Sequence, residues 1–358
     1  MLLKQVSLIK ALVCNRARGV PSKLNFNITS LCNSQCRTCN VWTAYRKHPE
    51  RAQDELTKDE IKRLLGRPDL PISWLAITGG EPFLRKDFGQ ILLYVINSCA
   101  SIKLLTIPSN GLDKNKVVSC LEQIKDQTRL LIYISFSLDG PPGVHDSIRG
   151  IKDGYAKTWD TYNEVRKIVS GNKNFHVGFE TTLSKYNVAD ANDFLRTLVS
   201  GQHSVVVNIA HNAQFYKNQE EEAALPSRNS AEVKAIVYDF NQHVRGLSPD
   251  KILRRVYLQN CVGYIEDPAK RILTCRALQT SLTIDPYGNM FPCPMWDHKI
   301  GNVREHGYDI MALWNSAERL NGRKRITKGL CPNCWTPCEA YPSIMENFYR
   351  LSVLRNLW

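Results

Sequence analysis

Cys32-Asn33-Ser34-Gln35-Cys36-Arg37-Thr38-Cys39 places three thiols on one short loop, directly after the apolar, strand-like run Leu24–Ile28. A [4Fe–4S] cluster usually takes four cysteines. Three on one loop leave an iron without a protein ligand and open to a small molecule, the pattern of a catalytic cluster rather than a structural one. Further along, Leu75-Ala76-Ile77-Thr78-Gly79-Gly80-Glu81-Pro82 is another strand-like run that ends in a glycine turn and a carboxylate.

Outward from these two stretches, strand-like and helix-like segments alternate. The strands read as Leu24–Ile28, Ile72–Thr78, Lys103–Ser109, Leu131–Ser137, His176–Leu183 and Ser204–Ala210. Between them lie helical stretches such as Thr57–Leu65, where Thr57 can cap and Asp59 and Glu60 favour the positive end of the helix dipole. Repeated β-α units imply an α/β fold, a parallel sheet with right-handed crossovers. The cysteine run, the Gly-Gly-Glu-Pro turn and the strand count together resemble the radical S-adenosylmethionine (radical SAM) superfamily. That resemblance implies a partial (β/α)6 TIM-like barrel with its motifs at the C-terminal strand ends. It also implies that the open iron binds the amino and carboxylate groups of the methionine moiety. The turn of Gly79, Gly80, Glu81 and Pro82 would hydrogen-bond the amino group, its glycines letting backbone approach the ligand.

The other strand ends supply the rest of the expected cofactor site. Ser109 and Asn110 end the third strand, and Ser137 and Asp139 the fourth; such hydroxyls and amides commonly hold a ribose. The run Asp139-Gly-Pro-Pro-Gly-Val-His145-Asp146-Ser-Ile-Arg149-Gly150 resembles a stretch of sulfatase-maturing members, which implies that Arg149 sits near the methionine carboxylate. His145 reads as a structural hydrogen-bonding residue. On the fifth strand, Glu180 and Thr182 share a face by two-residue alternation. Thr182 joins the cofactor set, and Glu180 either points into the barrel as a catalytic carboxylate or is salt-bridged on the sheet. Thr38 stands where many members have an aromatic residue, which leaves the adenine contact open.

A second cysteine set follows: Cys275, Cys293, Cys331 and Cys334, with Cys338 just beyond. The stretch 282–293 reads as a hairpin turning at Pro286–Asn289. This resembles the auxiliary-cluster extension called SPASM, or its shortened form twitch. With five cysteines from Cys275 onward, one four-cysteine cluster on Cys275, Cys293, Cys331 and Cys334 is the better count; tetrahedral zinc is the rival reading. Cys261 and Cys338 are left over as extra ligands, buried hydrophobes or hydrogen-atom donors, with Cys261 preferred as donor. Cys14, Cys99 and Cys120 read as inert core residues.

The expected layout is a basic amphipathic segment over 1–22, the barrel over 23–213, a linker and connecting helix over 214–250, the SPASM/twitch-like domain over 251–342, and an amphipathic helix over 343–358. The chain has 358 residues, 12 cysteines and a net charge of +13. Cysteines at metal-ligand spacings, with no secretory leader or membrane-span-length apolar run, point to a reducing cytoplasm. Contact with the inner face of the membrane is a secondary expectation from the basic, amphipathic ends. Nucleic-acid binding is not expected, because no recognised module is present.

The resemblance implies reductive cleavage of S-adenosylmethionine at Cys32, Cys36 and Cys39, followed by abstraction of a hydrogen atom from an unactivated C–H bond. Electrons would come from a donor such as flavodoxin or ferredoxin. The first-choice substrate is a sugar, cyclitol or lipid-linked polar group, undergoing epimerisation or dehydrogenation. The alternative is peptide or protein maturation, although the 21 residues before the barrel are too few for the leader-binding domain of many peptide maturases. A non-enzymatic iron–sulfur or zinc scaffold is the remaining rival.

Overall fold

The computed structural model describes residues 2–213, 215–218, 230–246 and 248–347. In chain order the elements are α1 (Leu2–Ala17), β1 (Lys23–Thr29), α2 (Ala44–Lys47), α3 (Lys58–Leu65), β2 (Trp74–Gly79), α4 (Phe88–Ser98), β3 (Leu104–Ser109), α5 (Lys114–Ile124), β4 (Leu131–Ser137), α6 (Pro142–Arg149), α7 (Gly154–Ile168), β5 (Phe175–Leu183), α8 (Val188–Ser200) and β6 (Val205–Ile209). After these come α9 (Ser230–His243), α10 (Pro249–Glu266), β7 (Ser281–Ile284), β8 (Asn289–Phe291), β9 (Gly301–Asn302), α11 (Ile310–Trp314), α12 (Ala317–Thr327) and α13 (Pro337–Asn347). The six barrel strands fall within two residues of their expected limits. Thr57 caps α3 through a reciprocal capping box with Glu60.

Strands β1 to β6 pair in sequence order and in parallel, and β6 does not pair back to β1, so the barrel is open on one side. Alternation along the strands separates two faces. Leu24, Phe26 and Ile28 of β1, with Leu105 and Ile107 of β3, point outward into the helix-covered core and are essentially inaccessible. The inner face is unusual for a barrel, whose interior is ordinarily filled by branched apolar layers. Here it carries Asn25, Asn27, Thr106, Ser135, Glu180 and Asn208. Polar side chains in that position need partners or a ligand.

Other elements close the barrel. At its N-terminal end, Leu8 of α1 packs on Trp74, Leu104 and Leu131, so α1 seals the bottom. The lateral gap is spanned by α10, whose Arg254 donates to Val205 O of β6 (3.2 Å), and by α13, whose Glu339 accepts from Asn25 of β1 (3.2 Å) and Ser281 of β7 (2.5 Å).

The auxiliary region joins the barrel sheet: β7 pairs in parallel with β1, and β8 and β9 extend it to nine strands. Within 214–250 lies the helix α9, and ahead of it Asn218 is 1% exposed and tied into the cysteine loop. The last helix starts at Pro337 rather than 343, and its Met345 packs beside Leu8. The rest of the expected apolar stripe, Phe348, Leu351 and Leu354, lies outside the described residues. Among the described residues no helix is long and apolar enough to cross a membrane.

Candidate metal and cofactor centres

The loop bearing Cys32, Cys36 and Cys39 leaves the C-terminal end of β1 and is gripped from three sides. Beneath it lies the turn after β2, with Gly80 N–H donating to Thr29 O (2.8 Å) and Glu81 N–H to Leu31 O (2.8 Å). A Cβ on Gly79 would collide with Thr29 O, and one on Gly80 with Leu31 O. These glycines therefore let two backbones touch, since a side chain at either would strike the cysteine loop. On the second side, Gln35 N–H donates to Arg149 O and Arg37 N–H to Ile148 O, both 2.8 Å, at the end of α6. On the third, Asn40 N–H donates to Tyr216 O (2.7 Å), and the Asn218 amide donates to Thr38 O (2.8 Å) and His211 O (3.0 Å).

The expected cofactor residues divide into two groups. Glu81 is buried and turned inward, accepting from Ser109 Oγ (3.0 Å), Asn110 N–H (2.6 Å) and Phe83 N–H (3.3 Å). Burial pushes its carboxyl up to about 7. Ser109 and Asn110 thus anchor Glu81, and the Asn110 amide also reaches Asn33 in the cysteine loop (2.7 Å). Pro82 starts a buried turn below them. The second group faces the barrel interior. Arg149 forms an ion pair with Asp139 (2.7 Å) and reaches Cys36 Sγ at 3.6 Å. Although burial opposes its charge, Asp139 and Cys36 hold it firmly protonated. Asp139 also accepts from Thr182 N–H (3.0 Å), and Asp139 N–H donates to His145 Nδ1 (3.2 Å), which gives His145 a structural role. Ser137 and Thr182 are half-buried beside them.

The donor chemistry fits an iron–sulfur cluster on the first loop. Burial pushes Cys32 and Cys39 up to about 12, with the neighbouring Cys36 thiol raising both further. Such thiols ionise when iron takes up the charge. The auxiliary set fits as well. Cys275, Cys293, Cys331 and Cys334 line one cavity. Arg271 donates to Cys331 Sγ (3.1 Å) and Ala277 N–H to Cys275 Sγ (3.5 Å), the contacts that tune cluster sulfur. Among the described residues no three His, Cys, Asp or Glu side chains converge on a single-ion site. Cluster cysteines reach separate irons and stand further apart.

Cys338 does not line that cavity. It is set deep in the fold near Lys23, Glu339 and Glu180, whose charges act on its thiol. Glu180 points into the barrel, accepting from Ser135 Oγ (2.9 Å) and from the Asn208 amide, and has no ion pair among the described residues. Burial pushes its carboxyl up. Cys338, Tyr216 and Tyr341 are half-buried near Glu180, whose charge acts on all three. The polar atoms of Asn27 and the Asn208 Oδ1 are buried and unpartnered. Cys261, by contrast, is 2% exposed and lies within the hydrophobic core on α10. Cys99 and Cys120 are core residues as expected, whereas Cys14 is exposed. Asn218, Asn40 and Tyr216 had no signal in the sequence beyond polar loop composition.

Comparison with known proteins bears on this geometry. The Radical SAM superfamily matches residues 26–193, spanning the three-cysteine loop, the glycine turn and Arg149. Residues 26–193 therefore form a radical SAM domain. A SPASM iron–sulfur cluster-binding domain matches residues 275–335, which hold the auxiliary set. With these domains come S-adenosylmethionine, its [4Fe–4S] cluster and an auxiliary [4Fe–4S] cluster. The antilisterial bacteriocin subtilosin biosynthesis protein AlbA of Bacillus subtilis is 24% identical over 333 residues, 88% of this chain and 67% of AlbA. The GTP 3′,8-cyclase of Vibrio cholerae is 31% identical over 159 residues, 44% of this chain. The chain spans only 42% of that cyclase's length. Among solved structures, anSMEcpe with bound AdoMet superposes with a TM-score of 0.61 at 14% identity, covering 94% of this chain and 100% of that one. Streptococcus suis SuiB bound to S-adenosylmethionine gives 0.57 at 15% identity, covering 84% and 67%. These structures share the radical SAM fold.

Proposed function

We propose that this radical SAM enzyme modifies a polypeptide, with the substrate residue held on the inner face of the barrel beside Glu180. The observation that carries the reading is the extent of similarity to AlbA. It covers 88% of this chain, whereas similarity to the nucleotide cyclase covers 44%. A likeness to anSMEcpe with bound AdoMet and Cp18Cys peptide, with a TM-score of 0.60, is in keeping with it. The sugar, cyclitol or lipid-linked substrate expected first gains no support from these comparisons.

In this reading Cys32, Cys36 and Cys39 hold the catalytic cluster, and Cys275, Cys293, Cys331 and Cys334 the auxiliary one. When bound, the first cluster supplies the electron that cleaves S-adenosylmethionine so that hydrogen abstraction can follow. Arg149, fixed by Asp139, meets the methionine carboxylate, and Ser137 and Thr182 meet the ribose. Glu180, its carboxyl raised by burial, takes up a proton on the inner face of the barrel. Cys338 is the thiol placed to return a hydrogen atom in an epimerisation. A C–H bond forms as the S–H bond breaks, and the thiyl is restored by one electron and one proton, the electron from a ferredoxin- or flavodoxin-class donor.

The test measures 5′-deoxyadenosine formed by the reconstituted, reduced enzyme when it is given a total extract of its source cells. Stimulation lost after protease treatment of the extract supports a polypeptide substrate. Stimulation that survives protease and passes a small-pore filter returns the sugar or small-molecule reading.

A further inference from the structure

Helix α1 has two apolar faces. One is buried: Leu8, with Leu12 beside it, packs on Trp74, Leu104 and Leu131, and the Asn15 amide donates to Ser73 Oγ (3.3 Å). The other carries Val6, Ile9 and Val13, which follow one another at three and four residues and so share one stripe of the helix. These three are 53%, 42% and 61% exposed. The other large apolar side chains exposed among the described residues, Leu31, Tyr238, Leu320 and Leu330, lie on four different segments. Apolar residues exposed singly are ordinary; three on one stripe form a patch.

The surroundings of the stripe are cationic. No acid precedes Glu50 in the sequence, and α1 with the turn after it carries Lys4, Lys10, Arg16 and Arg18. Lys4 donates to Arg129 O (2.8 Å) and Asn174 Oδ1 (2.5 Å), which sets α1 against the turns that lead into the barrel strands. Those turns, into β2 to β6, hold Arg67, Lys103, Lys125, Arg129 and Lys173 against Asp69 and Asp126. Asp69 is taken up by Arg67 (3.0 Å). Lys103 and Arg129 donate to the backbone carbonyls of Ala100 (3.0 Å), Ile96 (3.1 Å) and Cys99 (2.9 Å). With Lys10, Arg18, Lys125 and Lys173 they form no ion pair among the described residues. Of the helices closing this end, α13 contributes Glu346, paired with Arg16 (3.1 Å), and α10 starts with Asp250, Lys251, Arg254 and Arg255. The excess is positive on every element but α13.

An apolar stripe within a cationic field calls for a partner that is apolar and anionic. A second copy of this chain in a two-fold pairing would lay Lys10 and Arg18 against themselves. Residues 348–358, which follow α13 beside Arg16, bring Arg350 and Arg355 and no acid. A nucleic acid would supply the charge and leave Val6, Ile9 and Val13 without apolar contact. A bilayer with anionic headgroups meets both requirements.

We propose that α1 docks the enzyme on an anionic lipid bilayer. Val6, Ile9 and Val13 enter the boundary between headgroups and acyl chains, and Lys10, Arg18 and the cations of the strand-entry turns meet the lipid phosphates. The cysteine loop leaves the opposite end of β1, so the barrel mouth faces away from the lipid. The inference stands apart from the polypeptide reading.

The test is flotation of the reconstituted holoenzyme with vesicles of phosphatidylglycerol and phosphatidylcholine in equal parts, and with phosphatidylcholine alone. At low salt the partition onto the anionic vesicles should be at least about tenfold the stronger, and it should fall as salt rises. V6S/I9S/V13S and K10E/R18E should each lower it by about tenfold or more. Iron content reports that each variant has folded. No flotation at low salt, equal partition onto both vesicles, or undiminished binding of V6S/I9S/V13S overturns the proposal. So does a dimer in sedimentation velocity that the same variant dissolves, or binding of phosphate-matched duplex DNA as tight as that of the anionic vesicles. Flotation that appears only after residues 348–358 are removed would assign the stripe to the chain itself, and the proposal would fail.

Discussion

Asp139→Asn isolates the charge that holds Arg149 in place. The pair is 2.7 Å long, with the Asp139 side chain 2% and the Arg149 side chain 15% exposed, so solvent screens it little. Asparagine keeps the carbonyl that accepts from Thr182 N–H and removes only the negative charge. Breaking a buried pair on one side costs about 3–5 kcal/mol, because the remaining charge stays buried. Arg149 keeps Cys36 Sγ as a second partner, which puts the cost near the lower end, about 3 kcal/mol. For a chain of this size each kcal/mol lowers the midpoint by about 2 °C, so the cluster-free variant should melt about 6 °C below wild type. Anaerobic thermal unfolding followed by circular dichroism at a fixed scan rate measures this. D139N/R149M supplies the control: its loss should be smaller than the sum of the two single losses. A midpoint within a degree of wild type for D139N, or strict additivity in the double variant, would refute the pairing as the element that positions Arg149.

Gly80→Ala forces the glycine turn away from the cysteine loop, an overpacking cost of about 1–3 kcal/mol, and should lower iron retention on the first loop while the auxiliary iron stays. Burial, followed by repulsion from Arg149, depresses His145 from 6.5 to about 4. The unfolded chain therefore binds a proton that the folded chain refuses between about pH 4 and 6.5, and stability rises with pH across that window by about 3 kcal/mol. H145Q should flatten this slope, and denaturant unfolding at several pH values checks it. Cys338→Ala should keep about eight irons and Cys334→Ala should lose the auxiliary four, read by iron assay; equal losses would place Cys338 among the ligands.

The barrel was legible because its strands are long, apolar on one face and separated by helices, so period and spacing coincide. The cysteine sets were legible because iron–sulfur ligation imposes short spacings. Strands β7 to β9 are four, three and two residues long and carry too little alternation to announce that they extend the sheet. Contacts between loops have no period at all, which hid the role of Asn218 and the packing of the glycine turn on the cysteine loop. Cys338 follows Cys334 closely enough to resemble a ligand. The start of α13 intervenes and turns it toward the barrel, a direction that spacing alone does not specify. Cys261 looked available because a helical cysteine reveals its burial only through its neighbours.

The central claim is that two separate cysteine sets hold two clusters and that only the first cleaves S-adenosylmethionine. The direct measurement is iron content and 5′-deoxyadenosine formation in an anaerobically reconstituted variant with Cys32, Cys36 and Cys39 changed to alanine. The account predicts about four irons remaining of about eight, and no 5′-deoxyadenosine. Loss of all iron, stoichiometric zinc in its place, or continued 5′-deoxyadenosine formation would contradict it.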